Sequence, residues 1–495
     1  MNLKVKDMDV ATGGALVVIL NENDAKLLDI HALDRVKVKK KKKIETCVVD
    51  IAESCRAVPP GSVGICEEVL FRLNIKHNNM VEIIPAKKPL SLDYIKKKLD
   101  GKKLTRKEID QIVWDIVHNK LSDIELTYFI AACYTRLMDL NETIFLTKAM
   151  AQQGNTLKLN RYPIIDKHCT GGIAGNRTTM IIVPIVAAAG LTIPKTSSRS
   201  ITSPAGTADT MEVLAGVSFS INKMKKIVEK TNGCIIWGGS LNLAPADDQI
   251  IRVEKPLRID AESQLLASIM AKKIAVSSTH ILVDIPVGHG SKIKYKKEAL
   301  KLKKDFEMIG KKLNKKVKVI LTNGNCPIGN GIGPALEARD VLWILKNDPR
   351  APADLKEKSL YMAGLILEMV GKAKNGKKKA SEILKSGLAY KKMKQIIRAQ
   401  NGKLFDPGKI KLGNFTFDVK ANKTGKIKYI SNNDISKIAR IAGAPVNKSA
   451  GIYFHKNSGD KVKKKEKIFT VYAESRYKIN YAKETAKQMK IFNIS

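Results

Sequence analysis

Over residues 1–85 apolar and polar positions alternate in short runs, which predicts β-strands. A repeat lies within them: Leu28-Asp-Ile-His-Ala-Leu-Asp-Arg-Val-Lys-Val38 aligns without a gap on Leu73-Asn-Ile-Lys-His-Asn-Asn-Met-Val-Glu-Ile83. Each unit reads as a short helical piece, a polar turn and an alternating strand, and two such units can close into a small pseudo-symmetric β-barrel. Lys87-Lys-Pro89 punctuates its end.

From residue 91 to 154 the period becomes helical. Thr105 with Glu108 and Ser122 with Glu125 have capping-box spacing before apolar-periodic segments. Asn141 is expected to cap a further helix running to Ala151. From Tyr162 short apolar runs (Ile164-Ile165, Cys234–Ile236, Ile281–Ile285, Val317–Leu321) alternate with helical stretches and Gly-rich turns. That order predicts an α/β domain with a largely parallel sheet. The helix-like stretch Asp260–Lys273 interrupts it and is expected to return to the helical bundle. After Phe405 the texture is β-rich, with strands at Lys426–Ile430, Gly451–Phe454 and Lys467–Tyr472. The expected domains are therefore 1–85, barrel-like; 86–155, helical, joined by 245–275; 156–405, α/β and phosphate-binding; and 406–495, β-rich.

Composition bears on partners. The 495 residues are 44% apolar and 27% charged, which excludes disorder as a description of the whole chain. Lys and Arg number 88 against 48 acids, a net charge of +40 that suits anionic partners. The lysine clusters (39–43, 301–304, 377–379, 463–465) are dispersed and no aromatics accompany them, so a solvated basic surface is expected rather than a nucleic-acid partner. The seven cysteines form no C-x-x-C pair, which points to a reducing, cytoplasmic setting. Met1–Asp9 has no signal-peptide core. The longest apolar run, Thr179–Pro194, is broken by Pro184 and Gly190 and falls short of the ~20 residues of a membrane span, so no membrane role is expected.

Two loops carry candidate chemistry. Asp166-Lys-His-Cys-Thr-Gly-Gly-Ile-Ala-Gly-Asn-Arg-Thr-Thr179 follows a short strand and precedes an apolar helix. Its small residues let backbone N–H groups converge on an anion at a helix N-terminus, with Lys167 and Arg177 adding full charges. It lacks the Gly-x-x-x-x-Gly-Lys-Ser/Thr spacing of a Walker loop. Lys195-Thr-Ser-Ser-Arg-Ser-Ile-Thr-Ser-Pro-Ala-Gly-Thr-Ala-Asp209 also leads into a helix and is rich in hydroxyls. Two anion cradles in one domain imply two phosphates or one long anion. Farther on, Asp260 opens a helix on which Ser268 and Lys272 are four apart, and Gly288-His-Gly-Ser-Lys292 ends in a lysine able to reach a phosphate. No His, Asp or Glu cluster has metal-ligand spacing.

Lys167-His-Cys-Thr-Gly-Gly172, Leu121-Ser-Asp123, Thr147-Lys-Ala-Met150 and Pro327-Ile-Gly329 with Ala335-Leu-Glu337 resemble the nucleoside phosphorylase family that contains thymidine phosphorylase. That resemblance implies the helical-plus-α/β architecture shared with anthranilate phosphoribosyltransferase, with the barrel and β-rich domains added at either end. Ser197–Ser203, Ala205–Asp209, Ile259-Asp260 and Lys292 resemble a branch of the family that acts on nucleotides. The implied reaction is phosphorolysis of a nucleoside 5′-monophosphate: AMP plus orthophosphate gives adenine and ribose 1,5-bisphosphate, with CMP and UMP as further candidates. The implied roles are Asp260 as proton donor to the leaving base, and Gly172, Ser198, Arg199, Ser200, Ile201, Thr202, Ser203, Thr207, Ser268 and Lys292 as AMP and phosphate contacts. Lys167 and Lys272 are implied as additional contacts. No cofactor or metal is expected, because orthophosphate is a substrate; a homo-oligomer is expected.

The chain departs from the family at Cys169, where serine is usual, and at Asn176-Arg177, where Asp-Lys is usual. Arg252-Val-Glu-Lys255 replaces the pyrimidine-branch segment. The alternative is a pyrimidine nucleoside phosphorylase that reads no 5′-phosphate. An RNA-binding protein would account for the charge but would leave both cradles and Asp260 unexplained.

Overall fold

The computed structural model describes residues 1–200, 203–257, 259 and 261–495, apart from the side chains of Lys255 and Leu257. It divides into two compact units, Met1–Gly154 with Ala244–Ala271, and Asn155–Leu243 with Lys272–Ser495.

In the first unit β1 (Asn2–Asp7), β2 (Val17–Asn21), β3 (Arg35–Lys40), β4 (Lys43–Ala52), β5 (Ser62–Ile65) and β6 (Met80–Ala86) close a barrel in the order β1-β5-β2-β4-β3-β6. Alternate side chains such as Leu3, Val5, Val36, Val38, Val81 and Ile83 point inward and fill it. The two halves of the repeat are visible as α1 (Glu22–Leu27) leading to β3 and α2 (Glu67–Leu73) leading to β6, and β3 and β6 pair antiparallel.

Four helices follow: α3 (Ser91–Leu99), α4 (Arg106–Val117), α5 (Asp123–Thr135) and α6 (Leu140–Gln152). Both expected capping boxes form, at Thr105/Glu108 and Ser122/Glu125. The cap of α6 is Asp139 rather than Asn141: its carboxylate accepts from the Glu142 N–H, and Glu142 reaches back to the Asp139 N–H. Glu142 also pairs with buried Lys98 at 2.8 Å, tying α3 to α6. The helix Pro245–Leu257 packs on α4 and α5.

The second unit is built on β7 (Ile165–Cys169), β8 (Ile193–Ser197), β9 (Gly233–Trp237), β10 (His280–Val287) and β11 (Lys316–Asn323). β11, β10 and β7 pair in parallel, as do β8 and β9, and a parallel bridge between Ile164 and Thr192 joins the two sets in the order β11-β10-β7-β8-β9. The chain runs from β7 outward to β8 and β9, then returns to β10 and leaves on the other side. The order therefore reverses between β7 and β10, and α/β sheets bind ligands beyond the carboxyl ends of strands at such a switch point. α7 (Thr178–Ala188) is buried from Thr178 to Ala187, which explains its apolar composition.

Beyond Phe405 the described strands Phe415–Lys420, Gly451–Phe454 and Lys467–Ala473 form an antiparallel sheet with Gly331–Ile332, a strand from the α/β region. The helix Asn432–Ala442 packs on this sheet. Among the described residues no helix is long and apolar enough to cross a membrane.

Candidate active site

The loops after β7 and β10 meet at the switch point. Gly171, Gly172 and Gly175 have φ of +92°, +97° and +75°, which only glycine adopts without strain. A Cβ on Gly172 would lie 2.6 Å from the Lys292 backbone nitrogen, and one on Gly175 would lie 2.0 Å from the Ile328 carbonyl oxygen. The glycines are needed because three loops approach backbone to backbone. The Ile328 N–H donates to the Ala174 carbonyl at 3.1 Å, and the buried Ser291 hydroxyl bonds the Gly288 and Ile293 carbonyls. Lys292 itself is exposed.

Beneath the first loop lies an unusual density of buried charge. Lys167 is 1% exposed, and its Nζ donates to the Thr178 hydroxyl at 2.9 Å, at the N-terminus of α7. Burial pushes its pKa down. Asp166 is fully buried and pairs with Lys273 at 2.9 Å and Lys195 at 3.4 Å. Burial alone would raise the Asp166 carboxyl; the two ammonium groups hold it below its usual range. Asp284 takes a bond from Thr322 at 2.6 Å and pairs with Lys358 at 3.0 Å. His168 is half-buried; its removal from water, with Lys273, Lys195 and Lys167 nearby, holds it well below its ordinary pKa, so it stays neutral. The Thr170 hydroxyl is buried with no hydrogen-bond partner among the described residues, while the Thr170 N–H donates to the Asp284 carbonyl. Asn176 donates to the Cys169 sulfur at 3.3 Å, and burial raises the Cys169 pKa, keeping the thiol protonated.

Arg177 does a different job from the one its charge suggests. Its Nε pairs with buried Glu337, and its other nitrogens donate to the Thr207 hydroxyl at 3.0 Å and the Ala205 carbonyl at 2.8 Å. Glu337 also accepts from Thr210 at 3.0 Å and from the Gly333 N–H at 3.1 Å. The Arg177 charge is thus neutralised within the protein and locks the first loop to the second, a correction to its expected role as a charge for the anion.

The second loop is strapped by its own carboxylates. Asp209 accepts from the N–H groups of Ser200 at 2.7 Å and Gly206 at 2.8 Å. A Cβ on Gly206 would meet backbone of Ser198, Arg199 and Ser200 at 2.6 Å, so the loop doubles back on itself there. Arg199 is held by Glu212 through two bonds of 2.7 Å and by Asp209 at 3.2 Å, over the Trp237 ring. Arg199 therefore stands in a structural ion pair. The Ser200 hydroxyl bonds the Ser203 carbonyl, and the Ser203 hydroxyl bonds the Ala205 carbonyl at 2.9 Å.

Of the residues singled out from sequence, Lys167 lies within β7, Gly172, Ser198, Arg199, Ser200, Ser203 and Lys292 lie in the loops beyond the carboxyl ends of β7, β8 and β10, and Thr207 opens the helix Thr207–Glu212. Ser268 and Lys272 are half-buried, one turn apart on the helix Glu262–Ala275. Ile201, Thr202 and Asp260 lie outside the described residues. Sequence reasoning missed Thr178, Asp209 and Glu337 as parts of the site. Asp209 had a signal: it stands three residues after Gly206, at capping-box spacing. No group of three or more His, Cys, Asp or Glu able to hold a metal occurs among the described residues.

Residues 161–390 match the α/β domain of a glycosyl transferase family, residues 92–154 its helical bundle domain, and residues 426–492 the C-terminal domain of pyrimidine nucleoside phosphorylases. The chain therefore belongs to the glycosyl transferase family of phosphorylases that includes the AMP phosphorylases. It is 46% identical to the AMP phosphorylase of Thermococcus kodakarensis over 485 residues, covering 97% of this chain and 95% of that protein. The AMP phosphorylase of Thermococcus sibiricus is 44% identical over 497 residues, 100% of this chain and 98% of its own. A putative thymidine phosphorylase of Nitrobacter hamburgensis is 44% identical over 477 residues, 96% of this chain and 93% of its own. Anthranilate phosphoribosyltransferase from Thermus thermophilus shares the fold, with a TM-score of 0.53 at 18% identity over 63% of this chain and all of that one.

Proposed function

We propose that the chain catalyses the phosphorolysis of AMP, releasing adenine and forming ribose 1,5-bisphosphate. The observation that carries this reading is the excess positive charge beneath the glycine loops: buried Lys167, Lys195 and Lys273 and half-buried Lys358 stand there against Asp166 and Asp284. Buried charge without a counter-ion is costly, and a bound phosphate dianion would offset it. The unpartnered Thr170 hydroxyl and the N-terminus of α7 would supply hydrogen-bond donors to the same anion.

In this scheme orthophosphate binds by Lys167, Thr170 and Thr178. Gly172 and Lys292 hold the 5′-phosphate of the nucleotide, with Ser198–Ser203 and Thr207 lining the sugar-phosphate. An oxygen of orthophosphate forms the new bond to C1′ as the bond from C1′ to the base breaks, and that electron pair leaves with the base. Asp260, assigned by family resemblance, delivers a proton to the departing base, while Ser268 and Lys272 contact the nucleotide. Charge developing on the ribose is stabilised by the adjacent phosphate. No cofactor enters; orthophosphate is itself a substrate.

The test is adenine release from AMP and from adenosine, each with and without orthophosphate. Phosphate-dependent release from AMP alone is expected, and Asp260→Asn should lower its kcat by about 10²–10⁴-fold. Release from adenosine but not AMP would move the chain to the nucleoside-using branch.

A further inference from the structure

One buried side chain from outside the parallel sheet bonds both glycine loops. Asn432 is the first residue of the helix Asn432–Ala442 in the β-rich C-terminal region, and it is 1% exposed. Its Oδ1 accepts from the Ala174 N–H at 2.8 Å. Its Nδ2 donates to the carbonyls of Gly172 and Gly290, the latter at 2.7 Å. The helix cap is supplied separately by the Ser431 hydroxyl, so the Asn432 carboxamide is not used up in starting its own helix.

The three backbone groups comprise one donor and two acceptors. A carboxamide of this length meets that demand with one acceptor oxygen and two N–H donors. Aspartate would meet the donor but turn a carboxylate against two carbonyls, and serine has a single proton to give. Access also depends on Gly290, where a Cβ would lie 2.8 Å from the Asn432 Cβ. Gly172 and Gly290 belong to different loops, which touch where Gly172 approaches Lys292. Asn432 therefore fixes the separation of the two loops at the point where they present Gly172 and Lys292.

We propose that Asn432 is a positioning residue for the 5′-phosphate of the nucleotide, delivered by the C-terminal domain, which makes that domain a working part of the site. The inference rests on the assignment of Gly172 and Lys292 to that phosphate. It is separable from the reaction itself by measuring binding rather than turnover. Ribose 5-phosphate carries the phosphate without the base, and adenosine carries the base without the phosphate.

Equilibrium binding of each is measured on the full chain and on Asn432→Asp and Asn432→Ser. In Asn432→Asp the Kd for ribose 5-phosphate should rise about tenfold or more, with a smaller rise in Asn432→Ser, while the Kd for adenosine changes less than about twofold. Gly290→Ala, which pushes on Asn432 without removing it, should give the same selective loss and keeps the test open if Asn432→Asp does not fold. Equal weakening of both ligands, or of neither, overturns the inference, because a merely structural role does not single out the phosphate. A wild-type chain that binds both ligands but shows no phosphorolysis of AMP overturns the reaction alone. One that fails to bind ribose 5-phosphate overturns the inference.

Discussion

The two loops of the site are held in opposite ways. The loop after β8 is organised chiefly by near neighbours: Asp209 takes the N–H groups of Ser200 and Gly206, and Glu212 clamps Arg199, while Arg177 and Lys448 tie it to more distant segments. The loop after β7 is organised by residues far along the chain: Ile328 presses on Gly175, the 291–292 backbone on Gly172, Glu337 holds Arg177, and Asn432 spans two loops. A locally strapped loop can keep its shape when its surroundings move. A loop built from long-range contacts takes its shape only when the whole unit is assembled, so its anion site should be the more easily disturbed by distant substitutions.

Four substitutions sharpen or break that contrast. Gly172→Ala places a Cβ 2.6 Å from the Lys292 backbone at a φ of +97°, so both loops must shift. Steady-state assays should find kcat/KM for AMP reduced about 100-fold or more, since misplacement of about 1 Å costs that much. A near-normal value would mean that the close approach of the loops is unimportant. Asp209→Asn removes the carboxylate that takes two N–H groups of the second loop. It should raise KM for AMP about tenfold and cost roughly 1–3 kcal/mol in thermal or denaturant unfolding, while leaving the KM for orthophosphate nearly unchanged. An equal effect on both substrates would show that the Arg177 link carries the disturbance from the second loop to the first.

Glu212→Gln acts through pH. Hydrogen bonds from Arg199, with Lys448 alongside, hold the Glu212 carboxyl down to about 2, below its ordinary 4.5. The unfolded chain therefore takes up this proton first. The stabilisation is complete above about pH 4.5 and lost as pH falls toward 2, at most about 3 kcal/mol. Melting curves of wild type and Glu212→Gln should converge as pH drops through that window; parallel curves would deny the ion pair a role. The smallest effect is expected of Cys169→Ser. A hydroxyl is a stronger donor than a thiol, so KM for orthophosphate should fall about twofold to tenfold. A severe loss would show that the thiol has a role of its own.

The same contrast explains what could be read from the sequence. The barrel repeat, both capping boxes and the alternation of strand and helix are local patterns, and each has its counterpart in the structure. So are the glycine and hydroxyl loops. The cap of α6 was misread by two residues because Asn141 and Asp139 are both good caps, and the Glu142 partner selects Asp139. Arg177 was misread because a cation in a glycine loop suggests an anion outside the protein, whereas its counter-charge, Glu337, lies far along the chain. Asn432 carries no local signal at all: it is one polar residue at a helix start, and only the packing of the C-terminal region against the loops gives it meaning.

In the proposed reaction a phosphate bound over the buried lysines attacks a nucleotide that keeps its own phosphate. Phosphorus NMR of the products formed from AMP and orthophosphate tests this most directly. Free phosphate should be consumed and a single sugar should appear carrying two phosphorus signals, one from a phosphate on C1′ and one from the phosphate on C5′. Ribose 5-phosphate with no loss of orthophosphate would mean hydrolysis, and would contradict it.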